Sequence, residues 1–151
     1  MKKLQIALIV LFLFLSVFVS FSISQEIKKL TAGMPNTVTL SNGDIVYDLN
    51  GEWDAITDDR YYGTYKSVWK ITQEGNKFVG YKLPTSDWLA KGRGGIKGEL
   101  EGDRFKSLYV DNPAAEWTPS KGKINDGGNK IVIEVPIEEY NYTSFLTLTR
   151  K

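Results

Sequence analysis

From residue 30 onward, apolar and polar side chains alternate with a period of two, and no window holds a helical apolar stripe for the roughly ten residues a helix needs. In TYKSVWKIT (64–72), Tyr65, Ser67, Trp69 and Ile71 alternate with Thr64, Lys66, Val68 and Lys70. GIKGEL (95–100) sets Ile96, Gly98 and Leu100 against Lys97 and Glu99. KIVIEV (130–135) sets Ile131, Ile133 and Val135 against Lys130 and Glu134. One face of each run is apolar and the other charged, the pattern of a sheet with one side in water.

Turn chemistry divides these runs. ITQEGNKFVGY, GELEGDRFKSL and GKINDGGNKIVIE read as hairpins whose turn glycines, Gly75, Gly102 and Gly127, stand 27 and then 25 residues apart. Each lies beside Asn or Asp, residues that tolerate the positive φ of short turns. Asn42-Gly43 marks a further turn between TVTL and IVYDL. The even spacing predicts strands at 52–57, 64–72, 77–82, 95–100, 104–110, 117–123, 130–135 and 143–149, each paired with its sequence neighbour. The expected fold is therefore all-β: an eight-stranded antiparallel up-and-down (meander) barrel, closed because closure removes exposed edges. A two-sheet sandwich is the main rival. An outer-membrane barrel fits less well, because Lys66, Lys70, Lys97 and Lys106 stand opposite the core where lipid would lie.

The first residues follow a different rule. Lys2 and Lys3 precede an apolar run from Leu4 to about Val19, with Ser20, Ser22 and Ser24 after it. This is the layout of a cleaved secretory signal peptide over 1–24, and the run is short for a membrane span of about 20 residues. Residues 25–48 form an N-terminal segment with an expected β-hairpin, and 49–151 form the barrel domain. The expected location is secreted or periplasmic, with no integral span after cleavage. Removing Lys2 and Lys3 from 19 basic residues leaves 17 against 18 acidic ones. A near-neutral, interspersed charge gives no electrostatic case for nucleic acid. Without cysteine there is no disulfide, so the domain is held by its core, for which the 4 Trp, the 8 Tyr and the three Phe beyond residue 24 supply apolar area.

In LNGEW, Gly51 and Trp53 stand where the first barrel strand begins, and Arg150 in FLTLTR stands near the end of the last. This Gly-x-Trp with a late Arg resembles the signature of the calycin superfamily, which contains the lipocalins, the fatty-acid-binding proteins and the avidins. The resemblance implies a lipocalin-like barrel over residues 49–150. It also implies that Trp53 packs across one end with the Arg150 guanidinium over its ring, so that Gly51, Trp53 and Arg150 are structural closure residues. The Thr-Asp-Tyr run and the disulfide of lipocalins are missing, and the biotin-binding set of avidins does not map. No ligand is carried over.

Chemistry is sparse. With neither His nor Cys, the His-dependent nucleophile systems and His- or thiolate-ligated metals are excluded. Asp54, Asp58 and Asp59 in DAITDDR, and Glu138 and Glu139 in IEEY, are the remaining catalytic option. Adjacent acids in a turn point apart into water, and calcium needs further spaced oxygen ligands. No enzyme activity, metal or cofactor is expected. KGRGGIKG (91–98) precedes no helix that would bind phosphate.

Aromatic residues carry the better signal. Tyr61 and Tyr62 lie in the first loop, Trp88 in the connection 83–94, and Trp117 after DNPAAE. Tyr65, Trp69, Phe105, Tyr109 and Ile133 are expected on the inner face, with Ser67, Gly98 and Ser107 leaving missing bulk among them. An eight-stranded barrel is wide enough either to be packed solid or to hold one small ligand. The expectation is a barrel binding a small, largely apolar molecule among Tyr65, Ser67, Trp69, Trp88, Phe105, Tyr109, Trp117 and Ile133, with Tyr65, Tyr109 and Ser107 orienting it. The alternative is a filled barrel acting as an interaction module that contacts an exported protein or a glycan through its loops.

Overall fold

The computed structural model describes residues 30, 33–84, 94–111 and 117–151; the expected signal peptide and Trp88 lie outside them. A hairpin of β1 (Thr37–Thr39) and β2 (Ile45–Tyr47) precedes a nine-stranded antiparallel sheet. Its strands are β3 (Gly51–Asp59), β4 (Gly63–Glu74), β5 (Lys77–Lys82), β6 (Gly95–Glu101), β7 (Arg104–Asp111), β8 (Trp117–Pro119), β9 (Lys121–Asn125), β10 (Lys130–Ile137) and β11 (Tyr142–Arg150). The spatial order β8-β7-β6-β5-β4-β3-β11-β10-β9 is a meander in which the first strand pairs with the last, Arg150 lying opposite Trp53. The two edge strands follow each other along the chain. The Ser120 N–H between them donates to the Leu108 carbonyl at 2.9 Å, so the sheet curls into a nearly closed barrel.

The single strand expected at 117–123 is thus two, β8 against β7 and β9 against β10. Pro119 has no N–H for a ladder, and the Ser120 hydroxyl donates back to the Thr118 carbonyl, so the chain changes partner there. The turn glycines at 75, 102 and 127 all take the positive φ expected of them.

The apolar faces of β3, β4, β6, β10 and β11 converge on one core that includes Trp53, Trp69, Ile71, Ile96, Leu100, Ile131, Ile133, Leu146 and Leu148. On β7 the expected alternation fails. A β-bulge between Glu99 and Leu100 sets Ser107 opposite Glu99 but Phe105 opposite Leu100, so Lys106 is the extra residue. Beyond it Leu108 and Val110 are buried, and Ser107 and Tyr109 face outward.

The hairpin closes the barrel end that holds the tight turns. Gln73 fastens it: its side-chain oxygen accepts the Leu49 N–H at 2.7 Å, and its amide donates to the Tyr47 carbonyl at 3.0 Å. The Asn36 side chain donates to the Gly127 carbonyl and the Asn129 side-chain oxygen, both at 3.0 Å. Val46, Tyr47 and Leu49 are buried in the same core as the strands. The segment 37–47 is therefore a cap packed against the barrel rather than a free arm.

Candidate functional site

The closed end carries the contact expected of Gly51, Trp53 and Arg150. Trp53 is fully buried, and its indole N–H donates to the Leu49 carbonyl at 3.0 Å. The Arg150 guanidinium lies 4.6 Å from the centre of the Trp53 ring. It also donates to the Asn50 carbonyl at 2.9 Å and to the Asp48 carbonyl. Gly51 sits at φ +126°, a region costly for residues with a Cβ. Trp53 thus fills this end of the barrel beneath the Arg150 guanidinium, whose Nε is buried without a hydrogen-bond partner among the described residues.

Inside the barrel, five of the residues expected around a ligand do face the core: Tyr65, Ser67, Trp69, Phe105 and Ile133. The Trp69 indole N–H donates to the Ser67 hydroxyl at 3.0 Å, so two of the residues expected to line the ligand site pair with each other. The Phe105 ring packs on Phe78 with centroids 5.5 Å apart. Tyr109 and Trp117 are corrections. Tyr109 and Lys97 are cross-strand partners on the outer face, where the Lys97 ammonium lies 5.9 Å from the Tyr109 ring centre and 4.1 Å from that of Trp117. The bulge explains Tyr109, and Trp117, on the outer side of the edge strand β8, is 43% exposed. Ser107 moved outward with Tyr109 for the same reason.

The bulk missing at inner-face glycines is supplied by neighbours. A Cβ on Gly98 would stand 2.9 Å from the Phe78 ring and 2.2 Å from the Ser107 carbonyl oxygen. A Cβ on Gly80 would meet Ile71 and Ile96 at 2.9 Å, and one on Gly122 would meet Leu108 at 2.6 Å. The glycines mark close packing, not voids.

The opposite end is built differently. Because β3 pairs with β11, the turn at 60–62 lies beside the turn at 138–141. Asp59, buried at the end of β3, accepts the backbone N–H of Tyr61 at 2.9 Å and of Tyr62 at 3.0 Å through Oδ1. Its Oδ2 accepts the Tyr142 hydroxyl at 2.9 Å. Burial by itself raises the Asp59 pKa, but those N–H groups and the Tyr142 hydroxyl together hold it below the usual carboxylate value. Tyr142 is pushed up to about 12 by burial and by its bond to Asp59. The Tyr61 ring stands 5.2 Å from Tyr142 and 5.6 Å from Tyr140, tilted by 66° and 59°. Tyr61, Tyr62 and Tyr140 remain 63%, 61% and 54% exposed. The sequence marked Tyr61 and Tyr62 as loop aromatics but not their partners. Two tyrosine pairs, Tyr61-Tyr62 and Tyr140-Asn141-Tyr142, in turns that barrel closure makes adjacent were the signal.

The adjacent acids Asp58 and Asp59 do not face each other. Asp58 and Asp59 are neighbours in a strand and point to opposite faces, Asp58 accepting the Thr64 hydroxyl at 3.2 Å on the outside. Among the described residues no cluster of three or more Asp or Glu is arranged to hold a metal ion.

No protein-family profile matches the chain, and no curated protein matches it. Among solved structures it is similar to a redesigned β-barrel, at 11% identity and a TM-score of 0.49 over 68% of this chain and 91% of that one.

Proposed function

We propose that this protein is a non-catalytic interaction module: a filled, lipocalin-like barrel that meets an exported partner through its loops. The observation carrying this reading is the packing at the inner-face glycines, where Phe78 occupies the space beside Gly98 and Leu108 that beside Gly122. The Trp69–Ser67 hydrogen bond supports it, because a buried polar pair that satisfies itself leaves little to orient a ligand. Counting β8 and β9 as one strand kinked at Ser120 gives eight staves. With Arg150 over Trp53, that arrangement supports a calycin-type barrel. The run from Leu4 to Val19 supports export to the periplasm or the exterior. N-terminal sequencing of the native protein tests the last point, and a chain still beginning at Met1 refutes cleavage.

A second reading keeps the small apolar ligand. β5 stops at Lys82, opposite Trp69, and Leu83 adds one more bond to the Val68 carbonyl. Among the described residues no strand pairs with the upper part of β4 on that side, where Tyr65 and Ser67 lie. Native mass spectrometry of the protein purified from its own host, repeated after denaturation, decides between the two. A bare mass supports the filled module. A discrete additional mass lost on denaturation, and lost again in Trp69→Ala, establishes the ligand-binding barrel.

A further inference from the structure

The aromatic rings of this protein divide into two groups by what faces them. Arg150 lies over Trp53, Lys82 over Tyr65, and Lys97 over both Tyr109 and Trp117. Among the described residues no such cation–ring contact involves Tyr61, Tyr62, Tyr140 or Tyr142, although Tyr65, Tyr109 and Trp117 stand toward the same end of their strands. The two tyrosine-bearing turns and the residues beside them, 58–62 and 138–142, carry Asp58, Glu138 and Glu139 as exposed acids, Asp59 buried among its own hydrogen bonds, and Arg60 as their cation. None of the ion pairs among the described residues involves these four carboxylates. Phe145, 44% exposed on the outer face, stands opposite Asp58 and extends the apolar area.

We infer that this tyrosine-walled, acidic end is a docking surface for an arginine-bearing segment of a partner polypeptide. The inference rests on the interaction-module reading and names its face and the chemistry of its partner. A guanidinium is planar: it lies flat on an exposed tyrosine ring and turns its fork of N–H donors to a carboxylate beside it. The rings are pre-positioned, since the Asp59 carboxylate fixes the backbone of Tyr61 and Tyr62 and the hydroxyl of Tyr142. Rigid tyrosines lose little conformational entropy on binding, which suits them to the centre of an interface. Charge complementarity selects the occupant, because the two turns carry more acids than bases and, among the described residues, no cation lies over Tyr61, Tyr62, Tyr140 or Tyr142.

The test uses hexa-arginine and hexa-lysine peptides titrated calorimetrically into the purified full chain. Saturable hexa-arginine binding is expected, weakened about fivefold to tenfold by Tyr140→Ala and by the pair Glu138→Gln/Glu139→Gln. Hexa-lysine should bind several-fold more weakly, and Glu134→Gln, an exposed acid on the outer face of β10, should leave hexa-arginine binding unchanged. All of the substituted side chains are exposed, and circular dichroism checks that each variant is folded. Absent binding, equal binding by the tyrosine-end variants, or an equal loss in Glu134→Gln each overturns the proposal. Loss of this surface alongside a bare native mass refutes only the docking site. A ligand mass with peptide binding intact refutes only the filled barrel.

Discussion

Asp59 accepts three hydrogen bonds within one corner of the barrel, and its titration reports that corner. Its folded pKa lies below the ordinary value of about 3.9, so its contribution to stability is complete above that value and is lost as pH falls toward the folded pKa. Tyr142 works from the other side. Its folded pKa is raised to about 12, so the stability it contributes is complete below the ordinary tyrosine value of about 10 and is lost as pH rises toward 12. Tyr142→Phe should therefore remove the last-titrating tyrosine from an ultraviolet absorbance titration and move acid unfolding to higher pH. An unchanged absorbance curve assigns the late titration to another tyrosine. Arg150 is a second residue whose role is local. Arg150→Ala removes a guanidinium–indole contact and two hydrogen bonds to carbonyls, and should lower stability by about 1–2 kcal/mol in urea unfolding. Both Trp53 and Arg150 were legible in the sequence, because each stands at the end of a countable strand. Tyr142 was not, because nothing in its own neighbourhood reveals a carboxylate 83 residues away.

At the level of strands, alternation was readable wherever the ladder is regular. β4, β6 and β10 bury the side chains that period two assigns to the core, from Trp69 and Ile71 to Ile96 and Leu100 and to Ile131 and Ile133. It misled on β7, since one extra residue reverses every side chain that follows, and FKSLYV carries no local mark of the bulge. The partner strand carries the matching adaptation: Gly98 lets the Phe78 ring and the Ser107 carbonyl approach closely. Gly98→Ala would place a Cβ 2.2 Å from that carbonyl oxygen, so β6 or β7 must shift. Overpacking of this kind should cost about 1–3 kcal/mol, seen as a lower urea midpoint at unchanged slope. An unaffected midpoint means the packing around Gly98 yields easily, which would restore the case for a partly empty interior.

The molecule as a whole behaves as one core with two unlike ends. The hairpin and the barrel share a single buried cluster, from Val46 and Leu49 to Leu146 and Leu148. Unfolding followed by tryptophan fluorescence, which senses Trp53 and Trp69, should therefore coincide with unfolding followed by far-ultraviolet circular dichroism. Separate transitions would make the hairpin an independent element. What the sequence alone determined was local: period-two burial and the turn glycines, because these depend on backbone conformation within a few residues, while Gly51, Trp53 and Arg150 were marked by their resemblance to a known signature. Tertiary structure decided the rest. It divided one expected strand at Pro119, reversed β7 through a bulge, filled the glycine gaps with side chains from neighbouring strands, and joined the turns at 60–62 and 138–141 into one tyrosine-walled surface. Each of those outcomes depends on which strand lies beside which, and only the pairing of β3 with β11 and the closure of the sheet supply that.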